Sequence, residues 1–103
     1  MSKKINKRVL NKYCIIRTYS AGVWFGKVLV KDGNEIILGK ARMLYYWKTN
    51  GGISLSEVSL TGLHEDSRVM STVEEIWLKP IEIIPCTNKA ISSIQDKKDY
   101  ANS

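Results

Sequence analysis

Two stretches combine arginine with tyrosine and tryptophan, and these residue types are the ones in this sequence best suited to recognition chemistry. The first covers residues 17–24 (RTYSAGVW) and the second covers residues 41–47 (ARMLYYW). A guanidinium can form paired hydrogen bonds with phosphates or carboxylates, and aromatic rings stack on nucleobases. The mixture is typical of surfaces that stack on bases, bind phosphates or anchor protein interfaces.

The alternation of side chains along a strand decides which of these groups share a face. It places Arg17 with Tyr19, and it places Arg42 with Tyr46 on the face opposite Trp47. The predicted ligand-binding residues are Arg17, Tyr19, Arg42, Tyr46 and Trp47.

The alternative is that the aromatic rings form the core and that the arginines pair with acids. Glu74, Glu75 and Glu82 are candidate partners. Aromatic residues dominate ordinary cores, which favours this alternative for any single residue. For the whole group both readings stay open, because burying every ring would leave several hydroxyl and indole donors to satisfy.

Catalytic signatures are weak throughout the sequence. Residues 20–22 (SAG) lack the spacing of a nucleophile elbow, and no phosphate-binding glycine motif occurs. His64 is the single histidine and is followed by two acids, a pattern we interpret as a solvated loop. Adjacent Glu74 and Glu75 would point to opposite faces of a strand. We therefore predict a protein that is not an enzyme, with no catalytic residue, metal site or cofactor.

The two cysteines, Cys14 and Cys86, each lie among apolar residues. A buried cysteine behaves as a small hydrophobic residue, so we predict two free thiols and no disulfide.

The net charge of +6 is concentrated at the N-terminus. Residues 1–12 carry five basic residues and no acid, so the remainder is almost neutral. We predict a basic arm over residues 1–12, a single domain over residues 13–95 and a tail over residues 96–103. Such an arm can bind the phosphates of nucleic acid or simply solubilise a terminus.

Hydrophobic periodicity and turn signals predict an α+β fold: a small antiparallel sheet of about five strands with one short helix and a C-terminal helix. Asp32-Gly33 indicates a hairpin, and Gly26 and Gly39 indicate bulges inside strands. Ser54 and Thr87 are the predicted helix caps. The predicted strands cover residues 13–19, 23–30, 35–48, 73–78 and 81–84.

The order of these motifs resembles that of a group of small bacteriophage and prophage proteins without a characterised function. The shared segments, within residues 13–94, are IIRTYSAGVWFGKV, ARMLYYWK, SLSEVSLTG and IEIIPCTNKAISSI. The resemblance implies phage origin and action in the host cytoplasm, and it transfers no catalytic residue.

The sequence thus favours a phage accessory protein that binds and blocks or sequesters a host factor, with a nucleotide-type immune signal as the candidate ligand (anti-defence). One alternative is a nucleic-acid-binding protein that uses the basic arm and exposed aromatics. Another is a virion or assembly component. An aromatic-rich face on a short chain also predicts a homo-oligomer, and no apolar run is long enough to cross a membrane.

Overall fold

The computed structural model describes residues 8–46 and 54–99. Within these ranges the chain forms six strands and two helices, so the fold is mostly antiparallel sheet and fits the α+β class broadly. The elements are β1 (Tyr13–Thr18), β2 (Val23–Asp32), β3 (Glu35–Tyr46), α1 (Leu55–Thr61), β4 (Arg68–Val69), β5 (Val73–Leu78), β6 (Pro80–Pro85) and α2 (Asn88–Gln95). The predicted strand count of about five was too low, because the two residues of β4 are too few to show an alternating pattern.

The first three strands form an antiparallel meander. Asp32 pairs with Glu35 at the tip of the second hairpin, which leaves a two-residue turn of Gly33 and Asn34. Gly33 adopts a φ of 57°, a left-handed conformation that costs glycine little. Local turn chemistry therefore sets the register of β2 against β3.

The sheet rolls up because two strands adjacent in sequence lie at its opposite edges. β5 pairs with β3 and β6 pairs with β1, with β2 between β1 and β3. Four strand spacings amount to about 19 Å in a flat sheet. Only Lys79 separates β5 from β6, and two residue steps span at most about 7 Å. The two edges must therefore approach each other at Lys79.

Rolling gives the sheet an inner face and an outer face, and each has its own core. The inner core contains the buried residues Cys14, Ile16, Val28, Ile36, Leu38, Ala41 and Leu78. The outer core contains Ile15, Phe25, Leu44, Val58, Val69 and Ile94, and it lies beneath the two helices.

Both helices begin at the predicted caps. The Ser54 hydroxyl accepts a hydrogen bond from the Glu57 amide at 3.4 Å, and the Thr87 hydroxyl accepts one from the Ala90 amide at 3.1 Å. α1 ends at Thr61, and Gly62 is its C-cap. Ala90 and Ile94 form the buried stripe of α2, so the helix docks through the apolar spacing visible in the sequence. No helix within residues 8–46 and 54–99 is long and apolar enough to cross a membrane.

The last residues of the predicted arm belong to the folded body. Val9 and Leu10 pack against the inner core. The Asn11 amide donates to the Val28 carbonyl at 2.7 Å, and the Lys12 carbonyl accepts from the Val28 amide at 3.0 Å. Residues 9–12 therefore pack on the folded body, through a helical residue at Val9 and a turn at residues 10–11 that lead into β1, and are not a free basic arm.

This packing predicts that Val9, Leu10 and Asn11 stabilise the fold. A chain that begins at residue 12 should lose about 2 to 4 kcal/mol of unfolding free energy relative to one that begins at residue 9, because two half-buried side chains and a backbone hydrogen bond are removed. Urea unfolding of the two truncated chains measures the difference. Equal midpoints would contradict the packing role.

Candidate functional site

A hollow of about 280 Å³ opens on the outer face of the sheet. Strands β1, β2 and β3, the segment before β5 and the end of α2 all contribute to it. Its lining residues are Tyr13, Phe25, Lys40, Arg42, Thr72 and Gln95. Aromatic, cationic and hydrogen-bonding groups thus converge from five separate segments, which is the usual composition of a small-ligand site.

The aromatic wall of the hollow is a stacked pair. The Tyr13 and Phe25 rings lie 5.4 Å apart between centroids with an interplanar angle of 14°. Phe25 is fully buried, whereas Tyr13 is half-buried. The buried ring fixes the orientation of Tyr13, which lines the hollow as a flat, rigid surface.

Lys40 occupies a bulge in β3 beside this wall. Phe25 pairs with Arg42 and Lys27 pairs with Gly39, so two residues of β3 stand opposite one of β2. Lys40 adopts a φ of 48°, in the left-handed region that costs a residue with a side chain about 1 to 2 kcal/mol. Strained, non-glycine positions and bulges are concentrated at binding sites, where they redirect a side chain.

Glu74, on the neighbouring strand β5, stabilises the positive charge of Lys40. Its Nζ lies 2.8 Å from Oε1 of Glu74, and both side chains are exposed. The hydrogen bond to Glu74 and the charge of that carboxylate raise the pKa of Lys40 above its ordinary value. The ammonium therefore stays protonated at neutral pH, and the exposed Glu74 is a partner that an anionic ligand can replace.

Arg42 lines the hollow, but its hydrogen-bond donors are used within the protein. The guanidinium is only 3% exposed. Its acceptors are the carbonyls of Met70 at 2.9 Å, Ile94 at 2.8 Å, Gln95 at 3.4 Å and Lys97 at 2.7 Å, and the Asp99 carboxylate at 2.5 Å. Arg42 therefore joins β3 to the C-terminal segment, and its predicted role in ligand binding stays a prediction.

The same contacts correct the predicted tail over its first residues. Asp99 forms the ion pair with Arg42 and forms a parallel β-bridge with Val69 of β4. The Lys97 ammonium donates to the carbonyls of His64 and Glu65. Residues 96–99 therefore pack on the body. Residues 100–103 lie outside the described ranges.

Arg17 and Tyr19 lie apart from the hollow, near the far end of β1. Arg17 is four residues beyond Tyr13, or about 13 Å along the strand. Its Nε lies 3.5 Å from Oε1 of Glu82, and both side chains are half-exposed, so one of the acids proposed as its structural partner does pair with it. Tyr19 is 91% exposed in the turn that follows β1.

The turn around Tyr19 is held by its own hydrogen bonds. The Thr18 hydroxyl donates to the Gly22 carbonyl at 2.7 Å and accepts from the Ala21 amide at 2.8 Å. The Trp24 indole donates to the Ala21 carbonyl at 2.9 Å. Much of the RTYSAGVW motif is thus explained by the architecture of this turn.

The two remaining predicted residues cannot be assigned to the hollow. Tyr46 ends β3, and its side chain is not among those described, while Trp47 lies outside the described residues. The hollow instead includes Tyr13, Phe25, Lys40, Thr72 and Gln95, which the sequence did not single out. Gly39, recognised in the sequence as a bulge signal, was the one indication of the unusual position of Lys40.

The cysteines are free, as predicted. Cys14 lies in the inner core, whereas Cys86 packs against the outer core, so their thiols occupy opposite faces of the sheet. Burial raises the pKa of Cys14 to about 11 and that of Cys86 to about 12. Neither thiol is activated as a nucleophile. Among the described residues no cluster of metal-ligating side chains occurs.

These raised pKa values predict slow thiol chemistry in the native protein. At pH 8 only about one thiolate in a thousand is present for a pKa near 11, so a disulfide reagent should label neither cysteine rapidly. Absorbance after mixing with the reagent measures the rate. Both thiols should react within seconds once guanidinium unfolds the chain, and rapid native labelling would contradict their burial.

The Arg42 contacts predict a large loss of stability on substitution. Arg42→Met leaves several buried carbonyls without a donor, so unfolding free energy should fall by about 3 to 5 kcal/mol. Arg17→Met is the matched control, since it removes a half-exposed ion pair worth about 0 to 1 kcal/mol. Urea denaturation measures both. Similar losses for the two variants would show that the Arg42 network contributes little.

Comparison with known proteins places this site within a family. No curated protein and no solved structure matches the chain. A family model described as a domain of unknown function, DUF6948, matches residues 11–94. The match begins at Asn11, whose amide donates to the Val28 carbonyl, and ends at Ile94, whose carbonyl accepts from Arg42. It includes every lining residue of the hollow except Gln95. The chain belongs to the DUF6948 family.

Proposed function

We propose that this chain is a non-catalytic binding protein whose hollow holds a small phosphorylated ring compound of the nucleotide type. The observation that carries the proposal is the left-handed Lys40 at the β3 bulge, beside the Tyr13–Phe25 stack. A lysine is kept at a backbone conformation that glycine would adopt more cheaply. An anion-binding role accounts for that cost.

The aromatic pair supplies the second contact of the proposed complex. A nucleobase that stacks on a ring contributes about 1 to 3 kcal/mol, whichever base it is. Phe25 is buried behind Tyr13 and prevents that ring from turning away. Thr72 and Gln95 add neutral hydrogen-bonding groups at an exposed rim, which suits the polar edge of a base or the hydroxyls of a sugar.

The size of the hollow limits the ligand. A volume of about 280 Å³ lies just below the usual range of small-molecule pockets, which begins near 300 Å³. One base, or a phosphate with part of its sugar, fits inside. The rest of a larger ligand would extend past Lys40 and Glu74 into solvent.

The residues of the hollow favour sequestration over catalysis. Lys40 is protonated and cannot serve as a base, and the other lining side chains are aromatic, hydroxyl, amide or a fully engaged guanidinium. By analogy with the phage proteins that the sequence resembles, we propose that this chain acts in the host cytoplasm, where binding would remove an immune signal. The sequence-based alternatives of nucleic-acid binding and of a virion component become outcomes of the experiments.

Calorimetric titration with mononucleotides, cyclic nucleotides and inorganic phosphate tests the proposal. Lys40→Gly should weaken binding about tenfold to a hundredfold, because a charge-assisted hydrogen bond is lost. The variant should fold normally, since glycine relieves the strain at φ 48° and the lost Glu74 pair is exposed. Thr72→Val should weaken binding less, by about threefold to tenfold.

The matched control is Lys89→Ala, which removes the same charge from the exposed first turn of α2, away from the hollow. It should bind like the original chain. Binding of none of these compounds, or equal affinities for Lys40→Gly and Lys89→Ala, would overturn the proposal. Affinity for duplex DNA that falls steeply with salt and requires the basic residues 3–8 would favour nucleic-acid binding instead.

A further inference from the structure

An apolar patch lies on the outer face of the sheet, on the half that the helices do not cover. Val30 pairs with Ile37, and Ile37 pairs with Trp77, so three strands contribute to one row. A bulge in β2 brings Leu29 to the same face, where it lies over Gly39 beside this row; a Cβ at Gly39 would approach the Leu29 Cδ1 to 2.7 Å. We call these side chains, Leu29, Val30, Ile37 and Trp77, the Trp77 patch.

The patch is exposed to an unusual degree for its composition. Trp77 is 75% exposed, and Val30 is 46% exposed. Beside the indole lies a hollow of about 330 Å³ lined by Ile37, Glu75, Ile76 and Trp77. An indole buries about 150 to 250 Å² when it is covered, so an exposed tryptophan next to an empty hollow forgoes a large hydrophobic contribution.

Charges on either side of the patch are arranged so that the surface complements itself. The row next to the patch has Lys27 on β2 and Glu75 on β5, both aligned with Gly39. On the other side, Asp32 pairs with Glu35, and alternation along the chain places Lys79 beside Trp77. On one side of the apolar row the base lies on β2 and the acid on β5. On the other side the acid lies on β2 and the base follows β5.

When a two-fold axis relates two copies of the chain face to face, this pattern brings opposite charges into contact across the interface. An axis along the strands places Lys27 over Glu75 of a second copy. An axis across the strands places Glu75 over Lys79 of a second copy. In both arrangements the apolar rows meet, which is the self-complementarity that a symmetric dimer requires. With the axis across the strands, each Trp77 also faces the hollow beside the other copy's Trp77.

We propose that the Trp77 patch is a homodimer interface in which the two Trp77 indoles fill each other's hollows. The occupant is a second copy of this chain, because the surface matches its own charge pattern and carries both an indole and a space for one. Four apolar side chains make a small interface, so the dissociation constant should be on the order of micromolar. The inference is independent of the ligand proposed for the first hollow, which Lys40, Tyr13 and Phe25 line and which we call the Lys40 hollow.

Analytical ultracentrifugation from about 1 µM to 1 mM tests the inference. The original chain should shift from monomer to dimer across this range. Trp77→Ser should weaken self-association about tenfold or more, as expected for a central aromatic anchor. Glu75→Lys should also weaken it, because the new lysine meets Lys27 or Lys79 of the other copy in either arrangement.

Leu60→Ser is the matched control, since Leu60 is 57% exposed on α1, outside the patch. It should dimerise like the original chain. Far-ultraviolet circular dichroism of Trp77→Ser checks that the exposed substitution leaves the fold intact. A monomer at every concentration, or a dimer that Trp77→Ser does not weaken, would overturn the inference.

Discussion

The buried guanidinium of Arg42 is the interaction on which the arrangement of the C-terminal half depends. It lies in β3 and reaches Met70 just beyond β4, the final carbonyls of α2, and Asp99. A buried cation is costly unless every donor is used, and here each of its three nitrogens has an acceptor. α2 has no basic residue in its own last turn, so the sheet supplies the positive charge that its C-terminal end favours.

The position of α2 then determines the Lys40 hollow. Gln95 ends α2 and forms one side of the hollow, while Tyr13 and Phe25 form the aromatic side from β1 and β2. Arg42 fixes the distance between these elements, since it lies in the wall and binds the helix end. Arg42, which the sequence suggested as a ligand contact, thus shapes the hollow from within its wall.

The parts of the fold that follow from local signals were predictable from the sequence. The Asp32–Glu35 hairpin and the caps at Ser54 and Thr87 each depend on residues within four positions of one another. β4 was missed because a strand of two residues is too short to show the alternation of apolar and polar side chains. The burial of Arg42 was missed because its acceptors lie 28 to 57 residues away, where no local pattern reports them. The hollow was missed for the same reason, since five segments meet there.

The one-residue connection between β5 and β6 also constrains the order in which the chain acquires its structure. The three-strand meander needs only neighbouring residues, so it can form early. β6 must instead pair with β1, joining Arg17 to Glu82. Closing the loop between Arg17 and Glu82 costs conformational entropy before the pairing of β1 with β6 contributes any stability, so this step is slow. During synthesis, β1 therefore keeps one edge unpaired until β6 has emerged from the ribosome, and the roll closes as a late event.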